Sequence, residues 1–307
     1  MSLLVLSAAE VEELLTMEDC VAAMEDVLAA LARGELYQPL RSVHRPPDGA
    51  GFIGLMPAHR AGDRELYSLK EIVVLPDNPT RGLDAHQGGV LLHDGETGEL
   101  VALLNASPIT AIRTAAVSAV ATRALARRGS RVVAIVGSGV QGKAHVEAMR
   151  AVLDEPELRM WSRRDGGTAE EIVRGADVVC TCTNSREPVL RREWLAPGAH
   201  VNAIGAIAPA RELDAETVAA ATLFVDRRES ALNESAEYQV ALAEGATGGE
   251  HIRAELGEVL VGRHPGRTDA GELTVFKSLG LAVEDLAAAE LVVRRARERG
   301  VGTEIPF

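Results

Sequence analysis

The chain is poor in aromatic residues, in cysteine and in positive charge. Aromatic side chains make up 3% of its 307 residues, and the cysteines number three, Cys20, Cys180 and Cys182. Three cysteines cannot build a disulfide framework, so we expect a reducing, cytoplasmic location. The 32 Lys and Arg against 45 Asp and Glu give a net charge of −13, which argues against general binding to nucleic acid or to an anionic membrane. Any positively charged site must therefore be local.

Long hydrophobic runs are also missing. No apolar run reaches the roughly 18 residues of a transmembrane helix, so we expect none. The opening MSLLVLSAAEVEELL has a short apolar run with no basic residues before it, which is not typical of a signal peptide. The chain is rich instead in Ala, Val and Leu, as are helices packed on a buried parallel sheet. Its length is sufficient for two domains.

In the first third of the chain, the sequence pattern changes from helical to β-rich after two predicted helices. Caps at Ser7 and Thr16 predict these helices, and Gly34 ends the second. Short β-rich segments separated by Pro, Gly and Asp follow, and HDGETGELVALLN predicts a strand, a tight turn and a second strand. We predict an antiparallel or mixed sheet with helices on one side. Ser107-Pro108 then predicts the start of a further helix, with Ser107 as its cap.

From residue 131 onward, strands and helices alternate. RVVAIVGSGVQGKAHVEAMRAVL predicts a buried strand, a glycine turn and a helix, and LRMWSR, DVVCTCT, HVNAIG and TLFVD predict further strands. Thr168 and Glu171 predict a capping box for a helix between two of these strands. This alternation predicts an α/β fold with a Rossmann-type, doubly wound parallel sheet. A closing helix at about 282–299 is expected to return to the first domain.

The glycine turn GSGVQG at 137–142 carries the strongest functional signal. It matches G-x-G-x-x-G directly after a strand and before a helix, the context in which this motif binds the pyrophosphate of a dinucleotide. The three glycines allow a tight turn, close approach of the backbone to the pyrophosphate and packing of the helix on the strand. Free N–H groups and the helix dipole attract the anion. A glycine turn without a ligand is the alternative.

The residues at the end of the second strand help to distinguish NAD(H) from NADP(H) as the expected dinucleotide. About twenty residues after the turn, NAD-binding proteins carry an acid that holds the ribose 2′-hydroxyl, whereas this chain has Ser162, Arg163 and Arg164. An acid there would repel a 2′-phosphate, and the arginines would attract one. Asp165 follows, in the turn. We therefore predict that NADP(H) is favoured and NAD(H) possible, with two solvated loop arginines as the alternative.

Two cations fall among apolar residues. Lys70 shares a strand face with Ile72 by alternation, and Arg113 lies in an apolar stripe of its helix. Burying two cations is costly unless an anion compensates, and a substrate carboxylate, a cofactor phosphate or a structural ion pair would each do so. Arg41 and Arg45, in PLRSVHR, are further candidates for holding a carboxylate.

Seven segments together resemble the ornithine cyclodeaminase and mu-crystallin family over nearly the whole chain. They are QPLR at 38–41, SLKEIVVLPDNP at 68–79, ASPITAIRTAAVSAVAT at 106–122, VGSGVQG at 136–142, GADVVCTCT at 175–183, ARELD at 210–214 and TVFKSLGLAVED at 274–285. The resemblance implies an α+β substrate-binding and dimerisation domain, formed by residues 1–112 and 286–307, and a Rossmann domain at 113–285. It also implies a homodimer.

The resemblance further implies the residues of the site. Arg41, Lys70 and Arg113 would be the catalytic residues, facing a small imino or amino acid. Together with the motifs above it gives the following cofactor-binding set: Thr114, Gly137, Gly139, Val140, Gln141, Gly142, Ser162, Arg163, Arg164, Thr183 and Ser278. No metal site is expected, since the cysteines and the scattered histidines lack ligand spacing.

Two departures from the family pattern affect the expected chemistry. Cyclodeaminases and related alanine dehydrogenases carry a catalytic Asp where this chain has Ile207. The mu-crystallin branch, which includes ketimine reductases and uses NADPH, also lacks that Asp. In addition, the helix and strand that the family usually has between WSRR and GADVV are missing, so we expect a Rossmann sheet shortened after its second strand.

These observations predict an NAD(P)H-dependent oxidoreductase that acts on the C=N or C–N bond of a small imino or amino acid, of the ketimine reductase or amino-acid dehydrogenase type. Such an enzyme must hold the reacting carbon against the nicotinamide and bind the substrate carboxylate. Two alternatives stay open. One is an ornithine cyclodeaminase, a lyase with tightly held NAD, and the other is a non-catalytic, NADPH-dependent small-molecule binding protein of the mu-crystallin type.

Overall fold

The computed structural model describes residues 2–62, 64–205 and 211–307. Its strands are β1 (Ser2–Leu6), β2 (Leu36–Tyr37), β3 (Ser42–His44), β4 (Phe52–Arg60), β5 (Leu66–Val74), β6 (His86–Asp94), β7 (Leu100–Asn105), β8 (Val132–Val136), β9 (Glu157–Trp161), β10 (Val178–Thr181), β11 (His200–Ile204), β12 (Thr222–Val225), β13 (Ile252–Glu255), β14 (Thr274–Ser278) and β15 (Thr303–Pro306). Its helices are α1 (Ala8–Leu14), α2 (Met17–Arg33), α3 (Ala106–Leu125), α4 (Val140–Val152), α5 (Ala169–Val173), α6 (Ala215–Ala220), α7 (Arg228–Glu234), α8 (Ala236–Ala243), α9 (Leu256–Leu260) and α10 (Ala282–Arg299).

The chain forms two compact units. The terminal unit consists of Met1–Arg113 and Leu281–Phe307, and the central unit of Thr114–Gly280. The division falls inside helix α3, between Arg113 and Thr114. A single helix therefore contributes one predicted substrate residue to the terminal unit and one predicted cofactor residue to the central unit.

The terminal unit contains a mixed sheet, as predicted. Its strand order is β15-β1-β7-β6-β5-β4-β2, with β3 paired to β4. β1 and β7 run parallel, and the other neighbours run antiparallel. Helix α10 packs against β4, β5 and β6 and against α2. Along β5 the side chains alternate, with Ser68, Lys70, Ile72 and Val74 buried. The predicted face of Lys70 is thus the face turned away from solvent.

Side-chain caps set the ends of the helices in this unit. Ser7 and Glu10 form the predicted capping box of α1, and Gly34 ends α2 in the left-handed conformation with a φ of 84°. The prediction that Ser107 caps the next helix was wrong. Helix α3 begins at Ala106, two residues before the predicted Pro108, because Asn105 Oδ1 accepts the N–H of Ser107 at 3.0 Å and asparagine caps at least as well as serine.

The central unit contains the predicted parallel sheet. Its strand order is β13-β12-β14-β11-β10-β8-β9, and every neighbouring pair is parallel. Helix α4 connects β8 to β9, and the short α5, with its predicted capping box at Thr168 and Glu171, connects β9 to β10. Among the described residues the sheet ends at β9. The second strand, β9, is therefore the edge strand on this side, and the shortening relative to the family stays a prediction.

The three cysteines are free thiols, and two of them are packed in the protein interior. Cys20 and Cys180 are buried and Cys182 is half-buried. Burial raises the pKa of the Cys180 thiol to about 12, so it stays protonated at neutral pH. Across the described part of the chain, no three His, Cys, Asp or Glu side chains are grouped so that they could hold a metal ion. The helices described there also include none with the length and apolar character needed to cross a membrane.

Candidate active site

Two of the predicted catalytic cations meet on one carboxylate in the terminal unit. Lys70 Nζ donates to both carboxylate oxygens of Asp285, at 2.9 and 3.0 Å. Arg113 Nε donates to Asp285 Oδ1 at 3.0 Å, and its Nη1 donates to Glu284 Oε2 at 2.6 Å. The side chains of all four residues are at most 5% exposed. The structure therefore contains the buried ion pairs that two cations in apolar surroundings require.

The local fold explains why these four groups converge. Alternation along β5 directs Lys70 to the face covered by α10, and Glu284 and Asp285 lie in the first turn of that helix. Acids are favourable in the first turn because of the helix dipole. Gln38, the first residue of the QPLR segment, accepts the N–H of Val283 at 3.0 Å. This bond attaches the segment that carries Arg41 to the same helical turn.

The electrostatics of the cluster favour an anionic ligand. Burial lowers the pKa of Lys70 to about 8; Asp285 opposes this effect, and the charges of Arg113 and Arg41 add to it. Arg41 is half-buried between β2 and β3 and is thus close enough for its charge to act on Lys70. A third cation near the two buried ones adds to the attraction of this region for an anion such as a carboxylate.

Two further residues near the predicted site have different surroundings. His86 lies at the start of β6, and its pKa is lowered by desolvation, with the charges of Lys70 and Arg113 adding to the effect. A neutral His86 next to the cations can accept or donate a hydrogen bond. Arg45, a candidate for holding a carboxylate, lies instead over the ring of Phe52, with its Cζ 4.4 Å from the ring centroid.

The glycine turn of the central unit has the geometry that its motif predicts. Gly137 has a φ of 119°, and its N–H donates to the carbonyl of Trp161 at 2.8 Å. A Cβ atom on Gly142 would lie 1.9 Å from the Gly137 carbonyl oxygen, so helix α4 can pack this closely only through a glycine. Gly139 differs, because a Cβ atom there would meet no protein atom within 4 Å.

The open space at Gly139 leaves the N-terminus of α4 accessible to an anion. Gly139 is the N-cap of α4, and no described side chain caps this end of the helix. The first-turn residue Val140 is 58% exposed and Gln141 is half-buried. The protein's own packing does not explain the glycine at 139, whereas a pyrophosphate approaching the helix N-terminus does. These residues could therefore hold the cofactor.

Acidic and basic side chains lie together at the end of β9, the second strand of the Rossmann-type sheet. Asp165 Oδ2 accepts the N–H of Ser162 at 2.8 Å and its hydroxyl at 2.7 Å, while Arg163 and Arg164 are exposed. The acid in the turn thus folds back to the position where an NAD-binding protein carries its own. Both a carboxylate and two guanidinium groups are available at this strand end, so its geometry is compatible with either form of the dinucleotide.

The remaining predicted cofactor residues lie at strand ends or in α3. Ser278, the last residue of β14, is 2% exposed, and its hydroxyl has no hydrogen-bond partner among the described residues. A buried hydroxyl of this kind suits a ligand contact. Thr183 follows β10, and its hydroxyl donates to Glu212 at 2.7 Å. Thr114 is buried in α3.

Comparison with known proteins decides the family. A sequence profile described as the ornithine cyclodeaminase/mu-crystallin family matches residues 1–170 and 166–300. Ketimine reductase mu-crystallin of Mus musculus is 40% identical over 308 residues, which cover 94% of this chain and 95% of that protein. The chain belongs to the ornithine cyclodeaminase/mu-crystallin family. The two profile matches overlap at 166–170, in the connection between β9 and β10.

Solved structures of the family have the same fold. The Thermococcus litoralis Delta(1)-pyrroline-2-carboxylate reductase, in complex with NADH and L-proline, superposes with a TM-score of 0.94 at 34% identity, over 98% of this chain and 100% of that chain. An archaeal alanine dehydrogenase dimer with bound NAD superposes with a TM-score of 0.93 at 34% identity, over the whole of both chains. The resemblance and the Rossmann-type fold predicted from the sequence are confirmed.

The acids available to this family member are mostly engaged in holding the fold. Ile207, predicted to stand where cyclodeaminases carry their Asp, lies outside the described residues. Asp214 caps α6 by accepting the N–H of Thr217 at 2.9 Å. Asp226 Oδ2 accepts the N–H groups of Leu279 and Gly280 at 2.6 and 2.7 Å. Both acids that could have replaced the missing Asp therefore have structural bonds.

Sequence reasoning missed three buried acids. Glu284 and Asp285, the partners of the cations, lie in the quoted segment TVFKSLGLAVED, but their role as counterions was not predicted. Two adjacent acids inside the long apolar stretch LGLAVEDLAAAELVV were the available signal, because buried acids need cations as much as buried cations need acids. Glu212, in ARELD, gave no signal from its neighbours in sequence.

Proposed function

We propose that this protein is an NAD(P)H-dependent oxidoreductase that reduces the C=N bond of a small imino acid, or runs the reverse reaction on the amino acid. The observation that carries the proposal is the buried cluster of Lys70, Arg113, Glu284 and Asp285, with Arg41 close enough for its charge to act on Lys70. Such a cluster suits a substrate with one carboxylate. Relatives named as ketimine reductase and pyrroline-2-carboxylate reductase support this reaction class.

The chain's own groups would bind and orient the substrate. The bound nicotinamide supplies or takes up a hydride at the carbon of the C=N bond. Arg41 and Arg113 would contact the substrate carboxylate, with Asp285 and Glu284 fixing the guanidinium of Arg113. Lys70, with its pKa near 8, is a candidate to hydrogen-bond the nitrogen or to donate its proton. An imine that arrives protonated needs little further acid catalysis.

The reaction class is tested with a panel of substrates. We expect NADPH or NADH oxidation with at least one cyclic ketimine carboxylate, and no measurable proline from ornithine with NAD. Isoleucine at 207 can neither donate nor accept a proton, and a positioned acid or base contributes about 10²–10⁴-fold to such a reaction. Ready formation of proline and ammonia from ornithine would establish the lyase instead. Cofactor binding without turnover of any imine or amino acid would favour the non-catalytic binding protein.

Preference for NADP(H) is the finer part of the proposal. Arg163 and Arg164 are exposed at the end of β9, where a 2′-phosphate would lie. We expect Arg163→Ala to weaken NADPH binding by about 1.5–3 kcal/mol, because one charge-assisted contact is lost, and to change NADH binding little. Dissociation constants from fluorescence titration measure both, with Arg150→Ala, an exposed arginine of α4, as the control.

A preference for NAD(H) instead of NADP(H) would also have a structural basis. The carboxylate of Asp165 lies within hydrogen-bond distance of Ser162, where it could accept a ribose hydroxyl. Two family structures are named with NAD or NADH. If the native protein binds NADH more tightly than NADPH, or if Arg163→Ala weakens both equally, the cofactor is NAD(H) and Asp165 is the residue to test next.

We also propose that the protein is a homodimer. The face of the terminal sheet opposite Lys70 carries a row of apolar side chains across four strands, Pro57, Leu69, Leu91 and Leu103, which are half-buried or exposed in the single chain. Apolar patches of this kind are typical of interfaces. We expect Leu91→Asp to convert the dimer to a monomer in light scattering. Leu83→Asp, an exposed leucine outside the row, should leave the mass unchanged.

A further inference from the structure

A buried carboxylate in the central unit takes no part in the chemistry above. Glu212 is fully buried, and three donors converge on it. Its Oε1 accepts the N–H of Thr183 at 2.5 Å and the hydroxyl of Thr183 at 2.7 Å, and its Oε2 accepts the hydroxyl of Thr181 at 2.9 Å. The peptide of Glu212 is held as well, because its carbonyl accepts the N–H groups of Val189 and Leu190. The position of this carboxylate is therefore fixed.

Thr183 also lies against the glycine turn. A Cβ atom on Gly137 would stand 3.3 Å from Thr183 Cγ2 and 2.4 Å from the carbonyl oxygen of Cys182. The N–H of Cys182 donates to the carbonyl of Val136 at 2.8 Å, which ties this strand end to the last residue of β8. The methyl group of Thr183 is thus near the turn while its hydroxyl engages Glu212. Contacts on two sides set its rotamer.

The hydrogen bond to Glu212 determines whether the Thr183 hydroxyl can donate or accept a hydrogen bond to a ligand. A hydroxyl group has one hydrogen and two lone pairs, and an ionised carboxylate only accepts. The hydrogen of Thr183 is therefore committed to Glu212. The N–H of Ser185 approaches one lone pair, at 3.3 Å, which leaves the hydroxyl able to accept one further bond but unable to donate. A phosphate oxygen needs a donor, whereas a ribose hydroxyl or a carboxamide N–H needs an acceptor.

We propose that Glu212 is a positioning residue, which orients Thr183 as a hydrogen-bond acceptor for a ribose hydroxyl or the carboxamide of the dinucleotide. This inference rests on the proposed nicotinamide cofactor. It assigns to Thr183 the sugar or the amide of the ligand, and leaves the pyrophosphate to the N–H groups of the glycine turn.

The charges around Glu212 make this orientation sensitive to pH. Burial raises the pKa of Glu212 to about 7; Lys277 and the bonds from Thr183 oppose this effect, and Glu237 adds to it. Glu237 is itself bonded to Lys277 Nζ at 3.2 Å and accepts the N–H of Glu212 at 3.0 Å. The thiol of Cys182 also faces the carboxylate, and burial raises its pKa, so it remains neutral. Below about pH 7 Glu212 takes up a proton, and its remaining acceptor oxygen holds the Thr183 hydroxyl more weakly than the ionised carboxylate does, because hydrogen bonds to charged groups are the stronger ones.

The test measures NAD⁺ affinity as a function of pH in the full-length protein. NAD⁺ is chosen because it has no 2′-phosphate that would titrate in the same range. We expect the dissociation constant of the native protein to rise about three- to tenfold from pH 8.5 to pH 6. Glu212→Gln keeps the shape but cannot ionise, so its affinity should be about tenfold weaker at pH 8.5 and independent of pH. Glu216→Gln, an exposed acid four residues away, is the matched control and should retain the native profile.

Variants of Thr183 distinguish a positioning role of Glu212 from a purely structural one. Thr183→Val should abolish the pH dependence, Thr183→Ser should restore it, and Glu212→Gln should add nothing in the Thr183→Val background. If Glu212→Gln does not fold, the Thr183 variants decide the question alone. A native pH profile in Glu212→Gln, or in Thr183→Val, would overturn the inference. If the native protein binds neither NAD⁺ nor NADPH, the proposed function fails before Glu212 is tested.

Discussion

Replacing Lys70 by methionine is expected to lower kcat/KM for the imino acid by about 10²–10⁴-fold while cofactor affinity stays near that of the native protein. Methionine fills a similar volume but has no charge and no N–H. Asp285 would keep the guanidinium of Arg113 as a partner, so the acid is not left uncompensated. The cluster would lose one positive charge, which would weaken its attraction for the substrate carboxylate. Steady-state kinetics and a separate NADPH titration measure the two effects.

The control for this variant is Arg294→Met, which removes an exposed cation from helix α10. It should leave kcat/KM within a few-fold of the native value. Native Lys70 also predicts a pH effect, since its pKa is near 8. As the pH rises through that value the ammonium loses its proton, so KM for the substrate should increase in the native enzyme and stay flat in Lys70→Met. Turnover that survives in Lys70→Met would mean that Lys70 has a purely structural role.

Alanine at Gly139 should change stability little and alanine at Gly142 should lower it, whereas both variants should lose cofactor affinity. A methyl group on Gly139 would meet no protein atom within 4 Å, and this residue has an ordinary φ of −73°. The free energy of unfolding should therefore change by less than about 1 kcal/mol. The methyl group would project where the pyrophosphate is expected, so NADPH affinity should fall by about 10–100-fold.

Gly142→Ala places its methyl group against the Gly137 carbonyl and should lower the free energy of unfolding by about 1–3 kcal/mol or more. The distorted turn should also lose the cofactor. Urea denaturation and NADPH titration of both variants give the comparison. Gly98→Ala, at a loop position with a φ of 74°, is the control for general glycine strain. Unchanged NADPH affinity in Gly139→Ala would place the pyrophosphate elsewhere.

Local signals in the sequence were sufficient for most of the fold. The capping box at Ser7, the strand pair of β6 and β7 and the strand–turn–helix of β8 and α4 each depend on residues close together in the chain. The short apolar run of β1 was not predicted as a strand, because five residues do not distinguish one structure from another. β14 was also missed as a strand, since Lys277 interrupts its apolar pattern although it lies in the middle of the sheet.

The candidate site could be predicted only in part, because its halves are far apart in sequence. Lys70 and Arg113 stand out as cations in apolar patterns, but Asp285 lies 215 residues after Lys70, and no spacing rule joins them. Which group donates and which group accepts in a hydrogen bond is even harder to predict from the sequence. The orientation of Thr183 depends on Glu212, which is 29 residues further along the chain, beyond strand β11, and no spacing rule joins the two. Such contacts follow from the tertiary fold.

The position of the two counterions in the chain has a consequence for biosynthesis. Glu284 and Asp285 lie on a segment that follows the whole central unit, and β15, further along that segment, pairs with β1. A nascent chain that has reached residue 280 carries Lys70 and Arg113 without their carboxylates and β1 without one neighbour. The terminal unit is complete only once residues 281–306 have been synthesised. The ion pairs of Lys70 and Arg113 with Glu284 and Asp285 therefore form only after translation of this segment, and a chain that ends before it lacks both carboxylates.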